Sequence, residues 1–327
     1  MNTAIDKRKF IILFIAILIA AASMIVNNYT TKKDMPSSYG GKVLSAKRED
    51  TGSYILGNQE KKRSQINLEV KLYDGPDKGK VVKALQYFDD IVLIEPKAVE
   101  AGDRVLLRKD IASEQEKWDF IDYDRRIAML IIAIIFVVLI LLIGRGKGFW
   151  SLIALILSFI MVIGVLLPGI LKGRNIYALT LYVSLYIIFV SLWLLNGISI
   201  KSTSAIAGNI GGLLVAGMLA FMCHKYLYMT GVVDEHSIYL SSSLEGKPLD
   251  LLGILWSGVL IGALGAVMDV SMTISSAVYE VSLQHKNPNF WTCWKSGMEV
   301  GKDVIGTMTN TLLLAYMEES KIIKLFL

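Results

Sequence analysis

Ile127 to Ile143 is an unbroken run of 17 apolar residues. Such a run offers no polar face to water, and as a helix it reaches across most of the hydrocarbon core of a bilayer. The chain repeats the pattern at Phe10–Val26, Phe149–Leu167, Ile176–Leu195, Thr203–Cys223 and Leu249–Met268, with a shorter, more polar run at Val304–Tyr316. Hydrophobic residues make up 54% of the 327 and the mean hydropathy is +0.51, with the excess concentrated in these runs. The pattern predicts an α-helical polytopic membrane protein with about seven transmembrane helices.

Residues 27–126 are different in kind. They are polar, with charges of both signs nearly balanced. Gln65 to Tyr73 alternates apolar and polar with period two, as a half-buried strand does. Asp74 to Gly79 is a turn cluster, and Lys80 to Phe88 is the returning strand. Gly41–Arg48, Ile91–Ile94 and Arg104–Arg108 are further strand candidates. About five short strands in this length predict a small barrel or sandwich. The domain organisation is therefore residues 1–26 as an anchor, 27–126 as a β-rich domain and 127–327 as a multi-pass domain.

Lys7, Arg8 and Lys9 precede the first run, which makes it a signal peptide or an uncleaved anchor. Ala20-Ala21-Ala22 is a candidate cleavage site, but the apolar run continues to Val26, which favours the anchor. Lys and Arg near span ends favour an N-terminus inside. That orientation makes residues 27–126 extracytoplasmic in a cell-membrane protein. The net charge of +5 is too small to argue for nucleic acid. Cys223 and Cys293 do not make a disulfide framework or a zinc site. The three histidines, His224, His236 and His285, form no metalloprotease pattern. No cofactor, metal site or catalytic residue is expected.

The candidate functional residues lie in a glycine-rich, acid-bearing block, 253–316. A carboxylate beside spanning sequence is costly unless paired or hydrated. Asp269, at the end of the run Leu249–Met268, reads either as a proton or cation site in a broken helix or as a solvated acid at the boundary. Asp303, Thr307 and Asn310 fall on one helical stripe, which lines a cavity or forms the polar side of an interfacial helix. Gly208 and Gly212, with Asn209 between them, and Gly258 and Gly262 are small-x-x-x-small patterns. Close helix packing is favoured for them over a substrate path. Asn209 reads as an amide bonding a neighbouring helix or as part of the path. Gly265, Gly301 and Gly306 complete the candidate structural glycines. An aspartyl protease needs two carboxylates sharing a proton, and the local signatures of that chemistry are absent.

These motifs carry a resemblance. Gly262-Ala-Leu-Gly-Ala-Val-Met-Asp-Val-Ser-Met-Thr-Ile-Ser-Ser-Ala277, Asn287-Pro288, Ser296-Gly-Met298, Gly301-Lys-Asp303 and Gly306-Thr-Met-Thr-Asn-Thr-Leu312 resemble the YibE/F-like bacterial membrane proteins. Asp124-Arg-Arg126 and Gly144-Arg-Gly-Lys-Gly148 are similar to that family too. The resemblance is read across essentially the whole chain, outer domain included. It implies a multi-pass protein with an outer β-rich domain and a paralogous membrane partner, and it brings no established activity. Family members commonly continue past Ala315-Tyr316 with further membrane sequence, so a last helix that lacks a packing partner or is completed by another protein is expected.

The leading functional expectation is a transporter or permease-like component. Asp269 and Asp303 would bind a cation or proton, with Thr307, Asn310 and Asn209 as neutral groups on its path. The alternative is a membrane scaffold whose outer domain binds an envelope partner while the acids pair with Lys302 or Lys295. The small substrate or ion is not named by the sequence.

Overall fold

A computed structural model describes residues 2–27, 38–56, 59–89, 97–110, 117–229, 231, 250–284 and 289–319. The chain forms two compact units, one of residues 31–139 and one of residues 1–30 with 140–327.

The first unit is a closed five-stranded barrel of β1 (Ser38–Leu56), β2 (Gln59–Leu72), β3 (Val81–Asp89), β4 (Arg104–Asp110) and β5 (Lys117–Tyr123). The order around it is β1-β2-β3-β5-β4. Every pair is antiparallel except β3 with β5, which is parallel. This is the arrangement of an OB-type barrel. The period-two pattern of β2 explains its fit: Ile66, Leu68, Val70 and Leu72 point inward and are buried, while Glu69 and Lys71 are exposed. The expected turn is present, with Gly75 and Gly79 at φ of 85° and 93°, a region glycine adopts without strain. Two strand assignments need comment. Ile91–Ile94 lies outside the described residues. β5 was not expected, because Asp119 and Asp122 obscure the alternation of Trp118 and Phe120.

One buried amide is built into the barrel wall. Gln86 Nε2 donates to the Lys97 carbonyl at 3.0 Å, and Val99 N–H donates to Gln86 Oε1 at 3.0 Å. The side chain thus acts as a strand partner for residues 97–99.

The barrel leads into α2 (Arg126–Met161) through Asp124-Arg-Arg126. Arg126 Nε and Nη2 donate to the two Asp124 oxygens, each at 2.9 Å, and Nη1 reaches Asp74 at 3.0 Å. Tyr73 OH donates to Asp124 as well. The Asp124 side chain is only 3% exposed. These bonds, those from Arg126 foremost, hold the Asp124 carboxyl well below the usual carboxylate range. Burial, with Asp124 beside it, raises Tyr73 above the usual phenol value.

The second unit is helical. It contains α1 (Asn2–Asn27), the later part of α2, a π-helical turn (Val162–Leu166), α3 (Leu167–Leu171), α4 (Ile176–Asn196), α5 (Ile200–Leu227), α6 (Leu251–Gln284) and α7 (Phe290–Glu319). α4 is its centre, touching α1, the π-helical turn, α5 and α6. Its ends follow local chemistry. Asn175 Oδ1 accepts from Ala178 N–H at 3.1 Å as the N-cap, and Gly197 closes the helix at φ 70°. Ser199 caps α5 in the same way.

Three expectations are corrected here. About seven spans were expected, but six long helical runs are described. Ile127–Ile143 and Phe149–Leu167 fall in one continuous assignment, interrupted only at Arg145 with φ 46° and ψ −131°. There the chain bends so sharply that Gly148 lies against the Ile140 carbonyl, where a Cβ has no room. Second, the helix carrying Asp269 is not broken: α6 runs through 34 residues from Leu251 to Gln284. Third, Val304–Tyr316 is part of the 30-residue α7, which carries Lys295, Glu299, Lys302 and Asp303. Among the described residues, five helical segments are long and apolar enough to cross a membrane, and α7 is not one of them.

Candidate functional site

α6 has two unlike sides, and the helical repeat separates them. One side, Gly253, Ser257, Leu260 and Leu264, is buried. Capping by Asp250, whose Oδ1 accepts from Gly253 N–H at 2.9 Å, starts the helix with that side inward. Ser257 Oγ meets Thr180 Oγ1 of α4 at 2.9 Å, so two hydroxyls satisfy each other in the core.

Glycines set how closely the neighbours approach. Gly208 and Gly212 of α5 face Ser271 and Val267 of α6. A Cβ on Gly212 would lie 2.7 Å from Val267 Cγ1. Gly297 and Gly301 of α7 face Ile274 and Val278 of α6, at 3.0 and 3.4 Å from the nearest atoms. Gly208, Gly212 and Gly301 thus lie where a side chain of α6 comes close. Gly297 was not singled out from the sequence, although its four-residue spacing from Gly301 was the signal.

The other side of α6 is exposed: Gly258, Gly262, Gly265, Asp269, Thr273 and Glu280. Their spacings of four, three, four, four and seven residues place them along one helical face. Gly258 and Gly265 have no atom within 4 Å of where a Cβ would sit, so the packing expected of Gly258 is not made within the described chain. The free faces of α1 and of the later part of α5 differ. Phe10 and Phe14 on α1, and Leu214, Met218 and Phe221 on α5, are large exposed apolar side chains. On α6 only Val259, Tyr279 and Leu283 are of that type. Thr273 and Glu280 were missed as members of this stripe. The spacing signal was present, but it is visible only when the helix is followed past Met268.

On α7, Asp303, Gly306, Thr307 and Asn310 are all exposed, and Gly306 touches nothing within 4 Å of a Cβ position. Thr307 Oγ1 donates to the carbonyls of Asp303 and Val304 at 3.2 and 3.0 Å, as Thr273 Oγ1 does to Asp269 at 2.8 Å. These hydroxyls satisfy themselves on their own helices and keep oxygen lone pairs free. Among the described residues, no hydrogen bond or ion pair joins the side chains of Asp269 or Asp303 to Lys295, Lys302 or any other residue. No set of three or more His, Cys, Asp or Glu residues arranged to hold a metal ion occurs among them.

Asn209 is the remaining polar candidate. It is fully buried on α5, and neither its amide nitrogen nor its oxygen has a hydrogen-bond partner among the described residues. The neighbouring-helix bond expected of it is therefore not made. Ser184 Oγ on α4 is likewise buried without a partner.

The sequence model of the YibE/F-like protein family matches residues 132–327, which is more than half of the chain. The chain belongs to the YibE/F-like family. The match begins inside α2 and includes both α6 and α7, so the acid-bearing stripes of this YibE/F-like protein lie within the family region. The barrel lies outside it, so the likeness read across the whole chain is carried by the helical region. No curated protein and no solved structure matches the chain.

Proposed function

We propose that this YibE/F-like protein is a multi-pass membrane protein acting as a transporter or permease-like component for a small cation or proton. Asp269 and Asp303 are its exchangeable carboxylates. Gly258, Gly262 and Gly265 line the path on α6, and Thr307 and Asn310 line it on α7. The observation that carries this reading is the exposed stripe of α6. Hydrocarbon accommodates large apolar side chains, as on α1 and α5, whereas a face of glycines, Asp269 and Thr273 belongs against water or protein. The register of α7 on α6 supports it too. Gly297 against Val278 and Gly301 against Ile274 define an antiparallel pair. That pairing sets α7 beside the helix that carries Asp269.

The test uses the purified full chain in liposomes. Proton flux is read with an enclosed pH dye, and sodium and potassium flux by isotope uptake. The wild type passes one of these ions, and Asp269→Asn and Asp303→Asn reduce it. Equal flux in the wild type and both variants sinks the reading.

A second reading, a membrane scaffold, is favoured by the barrel. A groove of about 600 Å³ on the barrel is lined by Ser45, Lys47, Asn67, Glu69 and Lys83 together with Leu68, Ala84, Leu85 and Trp118. Such a groove suits an envelope partner with both polar and apolar groups. Removing residues 38–123 separates the readings: a scaffold loses its function, whereas a permease retains flux.

A further inference from the structure

The contact between α1 and α4 is open along much of its length. At one end a groove of about 670 Å³ is lined by Ala22, Ser23, Val26, Arg174, Asn175 and Tyr182. Tyr182 also borders a second groove of about 390 Å³, which runs on between the same helices past Ile19 and Ile15 to Ile12 and Trp193. The first groove has a polar rim and the second is apolar throughout. Ala22 to Ile12 is ten residues of helix, about 15 Å, half of the roughly 30 Å hydrocarbon core and so one leaflet deep.

The polar end carries positive charge. Arg174 Nη2 donates to the Val26 carbonyl at 3.1 Å, and Lys172 Nζ is 3.5 Å from the same oxygen. That carbonyl is in the last turn of α1, where cations are favourable. Arg174 has five N–H donors and uses one of them on a described residue, and no described carboxylate pairs with it. Where the grooves join, Ser23 Oγ and Tyr182 OH share a hydrogen bond of 2.7 Å. Two cations, two hydroxyls and an apolar channel one leaflet deep therefore follow one another along a single cleft.

We propose that this cleft binds one anionic phospholipid, with its phosphate on Arg174 and Lys172 and one acyl chain in the apolar groove. Arg174 supplies a planar fork suited to phosphate oxygens, and Lys172 a second positive charge. Ser23 and Tyr182 meet the ester region. The inference rests on the membrane reading above.

The experiment uses the full chain delipidated in neutral detergent. Thermal unfolding is followed with added phosphatidylglycerol, phosphatidylcholine or inorganic phosphate, and bound lipid is counted by native mass spectrometry. Phosphatidylglycerol raises the melting temperature by about 3–5 °C at saturation, while phosphatidylcholine and inorganic phosphate do not. The Lys172→Gln/Arg174→Gln variant loses the shift and the bound lipid. Ile15→Trp, at a half-exposed groove position, loses them by filling the chain channel. An equal shift with phosphatidylcholine, a shift with phosphate alone, or an undiminished shift in both variants overturns the proposal. Carbonate extraction of the same variants separates the two failures. A chain washed off membranes sinks the membrane reading, whereas one retained without a phosphatidylglycerol preference sinks the lipid site alone.

Discussion

The barrel and the helical unit both have apolar cores but differ in what they show on the outside. On the barrel, Lys42, Lys47, Glu69, Lys71 and Lys83 are exposed, while the interior is Val43, Leu68, Val70, Val105 and Leu107. Its buried amide, Gln86, has both hydrogen bonds made. The helical unit shows large apolar side chains on the outside and holds Thr180, Ser184, Ser202, Asn209 and Ser257 inside. A charged exterior suits water, and an apolar exterior with polar groups turned inward suits hydrocarbon. The difference in exteriors is what the proposed membrane reading requires of a helical unit in hydrocarbon and a barrel in water. The stripe of Gly258, Gly262, Gly265, Asp269 and Thr273 on α6 departs from that apolar exterior.

The largest test of this contrast is Gln86→Leu. It leaves the buried Val99 N–H without its partner, while the Lys97 carbonyl keeps the Tyr123 hydroxyl, at a cost of about 2–3 kcal/mol. Hydrogen exchange on the full chain should show residues 97–99 and β3 losing protection while α4 keeps its own. Equal loss in both units would mean that they do not unfold separately.

Next in size is a pair of substitutions on opposite sides of the α6 contacts. Gly212→Val puts a side chain into Val267 and should destabilise the helical unit by about 1–3 kcal/mol in a detergent melt. Gly258→Val meets nothing in the described chain and should change the melt by less than about 0.5 kcal/mol. If Gly258→Val costs as much as Gly212→Val, the stripe is covered by another chain, as the paralogous partner expected from the sequence would require.

Asp124→Asn should cost about 1–2 kcal/mol near neutral pH, a discounted figure because Arg126 is half exposed. The Asp124 carboxyl is depressed in the folded state, chiefly by its bonds from Arg126. Its stabilisation is therefore fully present above the unfolded carboxylate value of about 3.9 and is lost as pH falls below it toward the folded value. Barrel unfolding of wild type and variant, compared at pH 7 and pH 3, should differ at the first and converge toward the second. A constant difference would assign the role of Asp124 to shape rather than charge.

The smallest effect is expected from Asn209→Leu. A buried amide with no partner costs free energy, so an apolar residue of similar size should leave the melting temperature unchanged or raise it by up to a few degrees. A fall of several degrees would reveal a partner for Asn209, such as a bound water or ion, and would join it to the path formed by Asp269.

Much of the barrel was legible because strand periodicity is local. Gln65 to Tyr73 alternates without interruption, and the glycines of the following turn mark its end. β5 was not legible, because its two aspartates disturb a seven-residue pattern too short to average over. Helical runs were legible by length, but the boundary at Met268 was not. Asp269 lowers local hydropathy without ending a helix, since a helix satisfies its own backbone whatever side chain it carries. The candidate site was legible as a set of residue types: the acids, hydroxyls and glycines were all named except Thr273, Glu280 and Gly297.

What the sequence determined by itself is which segments are apolar helices, which are strands, and that the helical region carries YibE/F-like motifs. These depend on composition and on periods of two and 3.6 residues, which act over a few neighbours. Only the tertiary structure decided which glycines are covered. Gly208 and Gly258 open the same four-residue motif, yet one faces Ser271 and the other faces open space. It also decided that Asn209 is buried with no partner among the described residues, and that α1 and α4 leave a cleft between them with Arg174 at one end. Burial is a property of what lies opposite a residue, and what lies opposite comes from residues far away in the chain.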